Sequence, residues 1–80
     1  MKTIEMTGSP KNAGFKTKQE FLSKLEAFGF QHGKMTKRNN TVDILVTDDL
    51  DSETNKMTLA AQLGVQIMTY DMIAEIFSLN

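Results

Sequence analysis

The residues able to do chemistry in this 80-residue chain are few, and they fall into distinct groups. "MTGSPKNAGFKTK", residues 6–18, ends a short apolar stretch at Thr7-Gly8 and continues through a loop carrying Lys11, Lys16 and Lys18. A Thr-Gly turn ahead of a helix is either plain punctuation or a place where a hydroxyl and a close-approaching backbone N–H hold an anion. Between Lys2 and Arg38 there are eight basic residues and three acidic ones; from Asn39 onward Lys56 stands alone against seven acidic residues. The first half is therefore a candidate for contact with something anionic, and Lys56 stands out by its isolation. The net charge of −1 argues against the uniform basic field of a general nucleic-acid binder.

Other chemistries find little support. There is no cysteine, and His32 alone does not assemble a zinc site, so neither a disulfide nor a metal cofactor is expected. No Ser-His-Asp or Cys-His set and no Walker-type glycine loop is present, so an enzyme is not expected. Asp48, Asp49, Asp51 and Glu53 lack the glycine and terminal glutamate spacing of an EF-hand and read as a solvated loop. His32 reads as a surface strand residue, and the six methionines as adaptable core filler.

Eighty residues with 40% hydrophobic content suffice for one small core and exclude two domains. The most apolar run, 58–68, is broken by Gln62, Gly64 and Gln66 and falls short of the ~20 residues needed to cross a bilayer. The N-terminus has no apolar signal region, so a cytoplasmic protein is expected, and the start at Met1 favours a complete chain.

The elements that must position these groups follow from periodicity. Thr3 to Met6 alternates and stops at Gly8-Ser9-Pro10, which predicts a strand. Phe21, Leu22, Leu25 and Phe28 form the stripe of a helix over 18–28, capped by Thr17 with Glu20 and closed by Gly29. Residues 30–35 suit a second strand interrupted by Gly33, and 37–40 a polar turn. "VDILV", 42–46, has the near-continuous apolar character of a parallel strand covered on both faces. Ser52 or Thr54 caps a helix running to Leu63 with Gly64 at its end; 65–68 form a strand; and Met72, Ile73, Ile76 and Phe77 mark a last helix starting at Thr69. The order βαββαβα favours an α/β fold with a parallel sheet and helices on both faces.

This order, with Met6-Thr7-Gly8, Gly29, "TVDILVT" (41–47) and "NKMTLAAQLGVQIMTYDMI" (55–73), resembles a BRCT domain over nearly the whole chain. It is similar to the single modules of bacterial NAD-dependent DNA ligases and of the clamp-loader large subunit. The resemblance implies a four-stranded parallel sheet in the order 2-1-3-4, helices one and three on one face and helix two on the other. The chain departs from the pattern at Phe30, where a second glycine is usual, at Ile73, where many members have tryptophan, and in its longer loop after Thr7. Phe30 and Ile73 are apolar and suited to a core.

The resemblance further implies a phosphate pocket made of Thr7, Gly8 and Lys56, with Lys18, Lys16 and Lys11 following adjacent DNA backbone phosphates. Its function would be non-catalytic recognition of a 5′-phosphorylated DNA end or nick in replication or repair, beside a replication or repair protein. Two alternatives stay open: a phosphopeptide reader, which commonly needs a second repeat, and a protein-interaction or dimerisation module using an apolar surface around Phe15, Phe28, Phe30 or Tyr70. The lysines also read as an ordinary solvated face, and Thr7-Gly8 as a structural turn.

Overall fold

Alternation along the first strand decides which way everything else packs. The structure, a computed structural model, describes residues 2–79. In β1 (Lys2–Met6), Ile4 and Met6 face one side of the sheet, while the buried Thr3 and Glu5 face the other. β1 is flanked by β2 (Phe30–His32) and β3 (Ile44–Thr47), and β4 (Gln66–Thr69) pairs with β3. All pairings are parallel and the order is β2-β1-β3-β4.

Three helices cover this four-stranded sheet. α1 (Lys18–Glu26) and α3 (Tyr70–Phe77) bury Phe21, Leu25, Tyr70, Ile73 and Ala74 against Ile4, Met6, Ile44 and Val46. α2 (Asn55–Leu63) buries Met57 and Ala60 on the opposite face with Leu45, Val42 and Met35. Each helix begins at a threonine whose hydroxyl accepts an N–H three residues on: Thr17 from Glu20, Thr54 from Met57, Thr69 from Met72. Thr54, rather than Ser52, is therefore the cap of α2. Phe30 and Ile73 are core residues, 5% and 1% exposed.

Boundaries differ from the periodicity where local bonds intervene. α1 ends at Glu26, two residues before the expected Phe28, because Phe28 and Gly29 donate to the carbonyls three residues back, on Leu25 and Glu26. β2 stops at His32 instead of Met35. Gly33 still donates to the Ile4 carbonyl (2.9 Å), but the Met35 N–H is taken by the Glu5 carboxylate at 2.8 Å, which draws the chain off the sheet edge. β3 starts at Ile44, since Val42 belongs to the α2-side core and Asp43 bridges to Thr3 through its backbone N–H and its carboxylate.

The long loop after Thr7 also contains a short 3-10 turn, Lys11–Ala13, which periodicity does not reveal. It carries Ala13 and Phe15 into the core, where Phe15 meets Phe21 edge-on at 5.0 Å and Phe21 meets Tyr70 edge-on at 4.9 Å. The loop is thus anchored by an aromatic ladder rather than lying free.

Candidate anion site at the end of the first strand

Two backbone bonds fix Thr7 just beyond β1. Its N–H donates to the Val46 carbonyl (2.8 Å), extending the ladder with β3, and its carbonyl accepts the Tyr70 hydroxyl (3.0 Å). Tyr70 is 2% exposed, and burial, with the Asp48 carboxylate adding to it, pushes its hydroxyl well above the ordinary tyrosine range, so it donates as a neutral phenol. The chain then turns at Gly8, whose φ of +73° is left-handed. Among the described residues neither the Thr7 hydroxyl nor the Gly8 N–H has a hydrogen-bond partner.

Lys56 reaches this place from the first turn of α2, 50 residues away in sequence. Its ammonium donates to the Met6 carbonyl at 3.2 Å and lies 3.4 Å from Glu5 Oε1. Glu5 is nearly fully buried, and its other oxygen holds the Met35 N–H. Lys56 is therefore set beside the residue preceding Thr7 by a carboxylate inside the fold, with 44% of its side chain open to solvent. Thr7, Gly8 and Lys56 are brought to one end of the sheet.

An acidic group shares that end. The Asp48 carboxylate accepts the Ser9 N–H at 3.0 Å and lies against the face of Gly8, where a side-chain Cβ would overlap it. Asp48, read from sequence as part of a solvated loop, is exposed but engaged with the turn. Register supplies the reason: Met6 pairs with Val46, so two residues on, Gly8 and Asp48 leave their strands side by side. Glu5, Asp48 and Tyr70 are the site residues that sequence reasoning missed. The strand order together with the adjacent β1 and β3 would have located Asp48; nothing local marked Glu5, whose role depends on the face it occupies.

The lysines expected to follow DNA phosphates lie in the loop after Thr7 and at the start of α1. Lys11 and Lys16 line a shallow recess of about 500 Å³ with Gly14 and Phe15, and Lys18 opens α1; all three are exposed. Lys11 is tied to the turn through its N–H, which donates to the Ser9 hydroxyl at 3.3 Å.

Phe15, Phe30 and Tyr70, considered above for an apolar surface, are instead core residues. Only Phe28 of that group is exposed; it stands with Ile76 and Phe77 on a groove of about 570 Å³ that also touches Lys2, at the opposite end of β1 from Thr7. His32 is exposed on β2. Among the described residues there is no group of three or more His, Asp or Glu placed to hold a metal, and no helix is long and apolar enough to cross a membrane. Comparison with protein-family models, with curated proteins and with solved structures finds no match to this chain.

Proposed function

We propose that this chain is a non-catalytic, BRCT-like binding module that takes a phosphate group of DNA, at a 5′-phosphorylated end or nick, in replication or repair. The supporting observation is the meeting of Lys56 with the end of β1 beside a Thr7 hydroxyl and a Gly8 N–H that have no hydrogen-bond partner among the described residues. A hydroxyl, a backbone N–H and an ammonium group suit phosphate oxygens, and charge-assisted bonds of this kind are the strong ones. Lys11, Lys16 and Lys18 would meet neighbouring backbone phosphates, which adds affinity and salt dependence but no sequence reading.

The test compares binding of 5′-phosphorylated and 5′-hydroxyl duplexes by fluorescence anisotropy at two salt concentrations, with a phosphoserine peptide alongside. Preference for the 5′ phosphate, reduced about tenfold by Thr7→Ala or Lys56→Ala, is the expected result, equivalent to about 1.4 kcal/mol. Equal binding of the two duplexes would remove the end-recognition reading. A second reading, a protein-interaction module without a phosphate ligand, draws on the exposed Phe28 and Ile76. A mass that rises with concentration, together with indifference to every phosphate probe, would favour it.

A further inference from the structure

We infer that Asp48 is a tethered competitor: its carboxylate occupies the turn at Gly8-Ser9 when no ligand is bound, and an incoming phosphate must displace it. The inference rests on the phosphate reading of the same site and concerns how that site is regulated.

Three observations carry it. The carboxylate already makes the kind of bond a phosphate oxygen would make, accepting the Ser9 N–H at 3.0 Å. It lies against Gly8 so closely that only a residue without a Cβ leaves room for it, which puts an anion on the turn itself. Its position is imposed by the sheet, because β1 and β3 are paired in a register that ends with Gly8 next to Asp48. A negative group is thus delivered to the phosphate end of the domain by the fold itself.

The hold is weak enough to be broken. Asp48 is exposed, and the Ser9 N–H is its only hydrogen-bond partner among the described residues. Lys56 contacts Glu5 and the Met6 carbonyl, and among the described residues it forms no ion pair with Asp48. Rotation of the Asp48 side chain into solvent would release the Ser9 N–H and open the face of Gly8, giving a ligand oxygen two neighbouring backbone donors. A competitor in place nine-tenths of the time lowers apparent affinity about tenfold, since only the remaining fraction is competent. Every anion is subject to the same factor, so only a ligand with further contacts, such as a DNA strand meeting Lys11, Lys16 or Lys18, would still fill the site.

The experiment uses the whole chain and a 5′-phosphorylated duplex, with its 5′-hydroxyl counterpart, followed by anisotropy. Asp48→Ala is expected to bind the phosphorylated duplex about tenfold more tightly and the hydroxyl duplex no more tightly. Asp48→Asn, which keeps an acceptor but loses the charge, should give a smaller gain. Asp51→Asn removes the same charge from the same loop without touching the turn, and should change little, most clearly at about 0.3 M salt, where separated charges are screened. The amide resonance of Ser9 gives a second readout: it should shift in Asp48→Ala and move back towards its original position when phosphorylated duplex is added. If the unaltered chain prefers the phosphorylated duplex but Asp48→Ala gains no more than Asp51→Asn, displacement is overturned and the phosphate reading stands. If the folded chain and its Asp48 variants alike ignore the phosphate, both are overturned.

Discussion

Lys56 and Glu5 form an ion pair of unequal burial: the ammonium lies 3.4 Å from a carboxylate whose side chain is 6% exposed, while its own is 44% exposed. The pair joins α2 to β1, one of the two inner strands of the sheet. Because the Glu5 carboxylate also accepts the Met35 N–H, it holds together three separate segments of chain.

Loss of either partner should therefore cost stability by different routes. Glu5→Ala leaves the Met35 N–H without its acceptor and should lower the unfolding free energy by about 2–3 kcal/mol. Lys56→Met leaves a buried carboxylate with one N–H, yet water reaches the lysine side, so the expected loss is about 1–2 kcal/mol, below that of a fully buried pair. In urea unfolding, the Glu5→Ala/Lys56→Met double variant should lose about 1 kcal/mol less than the sum of the two single variants. Strict additivity would mean the pair contributes nothing.

Gly8 and Gly64 share a left-handed backbone, φ +73° and +70°, but not their surroundings. Nothing lies within 4 Å of a Cβ built on Gly64, whereas one on Gly8 meets the Asp48 carboxylate. Gly64→Ala should cost about 1 kcal/mol from backbone strain alone. Gly8→Ala should cost more, and its excess should disappear in an Asp48→Ala background; thermal unfolding of the four variants checks this.

Gly33 lies against the Thr3 methyl group, and a Cβ there would overlap it. Gly33→Ala should destabilise the fold by about 1–3 kcal/mol through overpacking. Thr3→Ser removes the methyl but keeps the hydroxyl that accepts the Gln31 amide at 3.1 Å. The Thr3→Ser/Gly33→Ala chain should therefore be more stable than Gly33→Ala alone, as read from denaturant midpoints.

Tyr70 is held neutral by burial and by Asp48, so its folded-state pKa lies above the unfolded value of 10.0. Its contribution is fully present below pH 10 and is lost as pH rises through the folded-state value, because only the unfolded chain gives up the proton easily. The melting temperature of the unaltered chain should fall between about pH 10 and 11 more steeply than that of Tyr70→Phe. At neutral pH, Tyr70→Phe should be less stable by about 1–2 kcal/mol, having left the Thr7 carbonyl unpaired. Parallel curves for the two chains over that range would show that the hydroxyl is not held in its neutral form.

Much of the architecture is legible along the chain because it depends on local rules. Threonines 17, 54 and 69 mark helix starts, since a short hydroxyl side chain can accept an N–H three residues on. The strand 44–47, three apolar residues and Thr47, is buried throughout, as a strand between two helical layers must be. The 3-10 turn at Lys11–Ala13 was not legible, for its position is fixed by Ala13 and Phe15 reaching a core that α1 shares with α3, which lies far on in the sequence.

Residue type and order marked Thr7-Gly8 as a turn and Lys56 as an isolated cation, and the family resemblance of the sequence joined the three as candidates. Only the tertiary structure decided their company, by bringing Glu5 beneath Lys56 and Asp48 against Gly8. A chain encodes helix caps and strand faces within a few residues, but which charges neutralise one another depends on strand register and on the depth of each group from water. Those are properties of packed elements 39 and 50 residues apart, and they exist only once the sheet has closed around them.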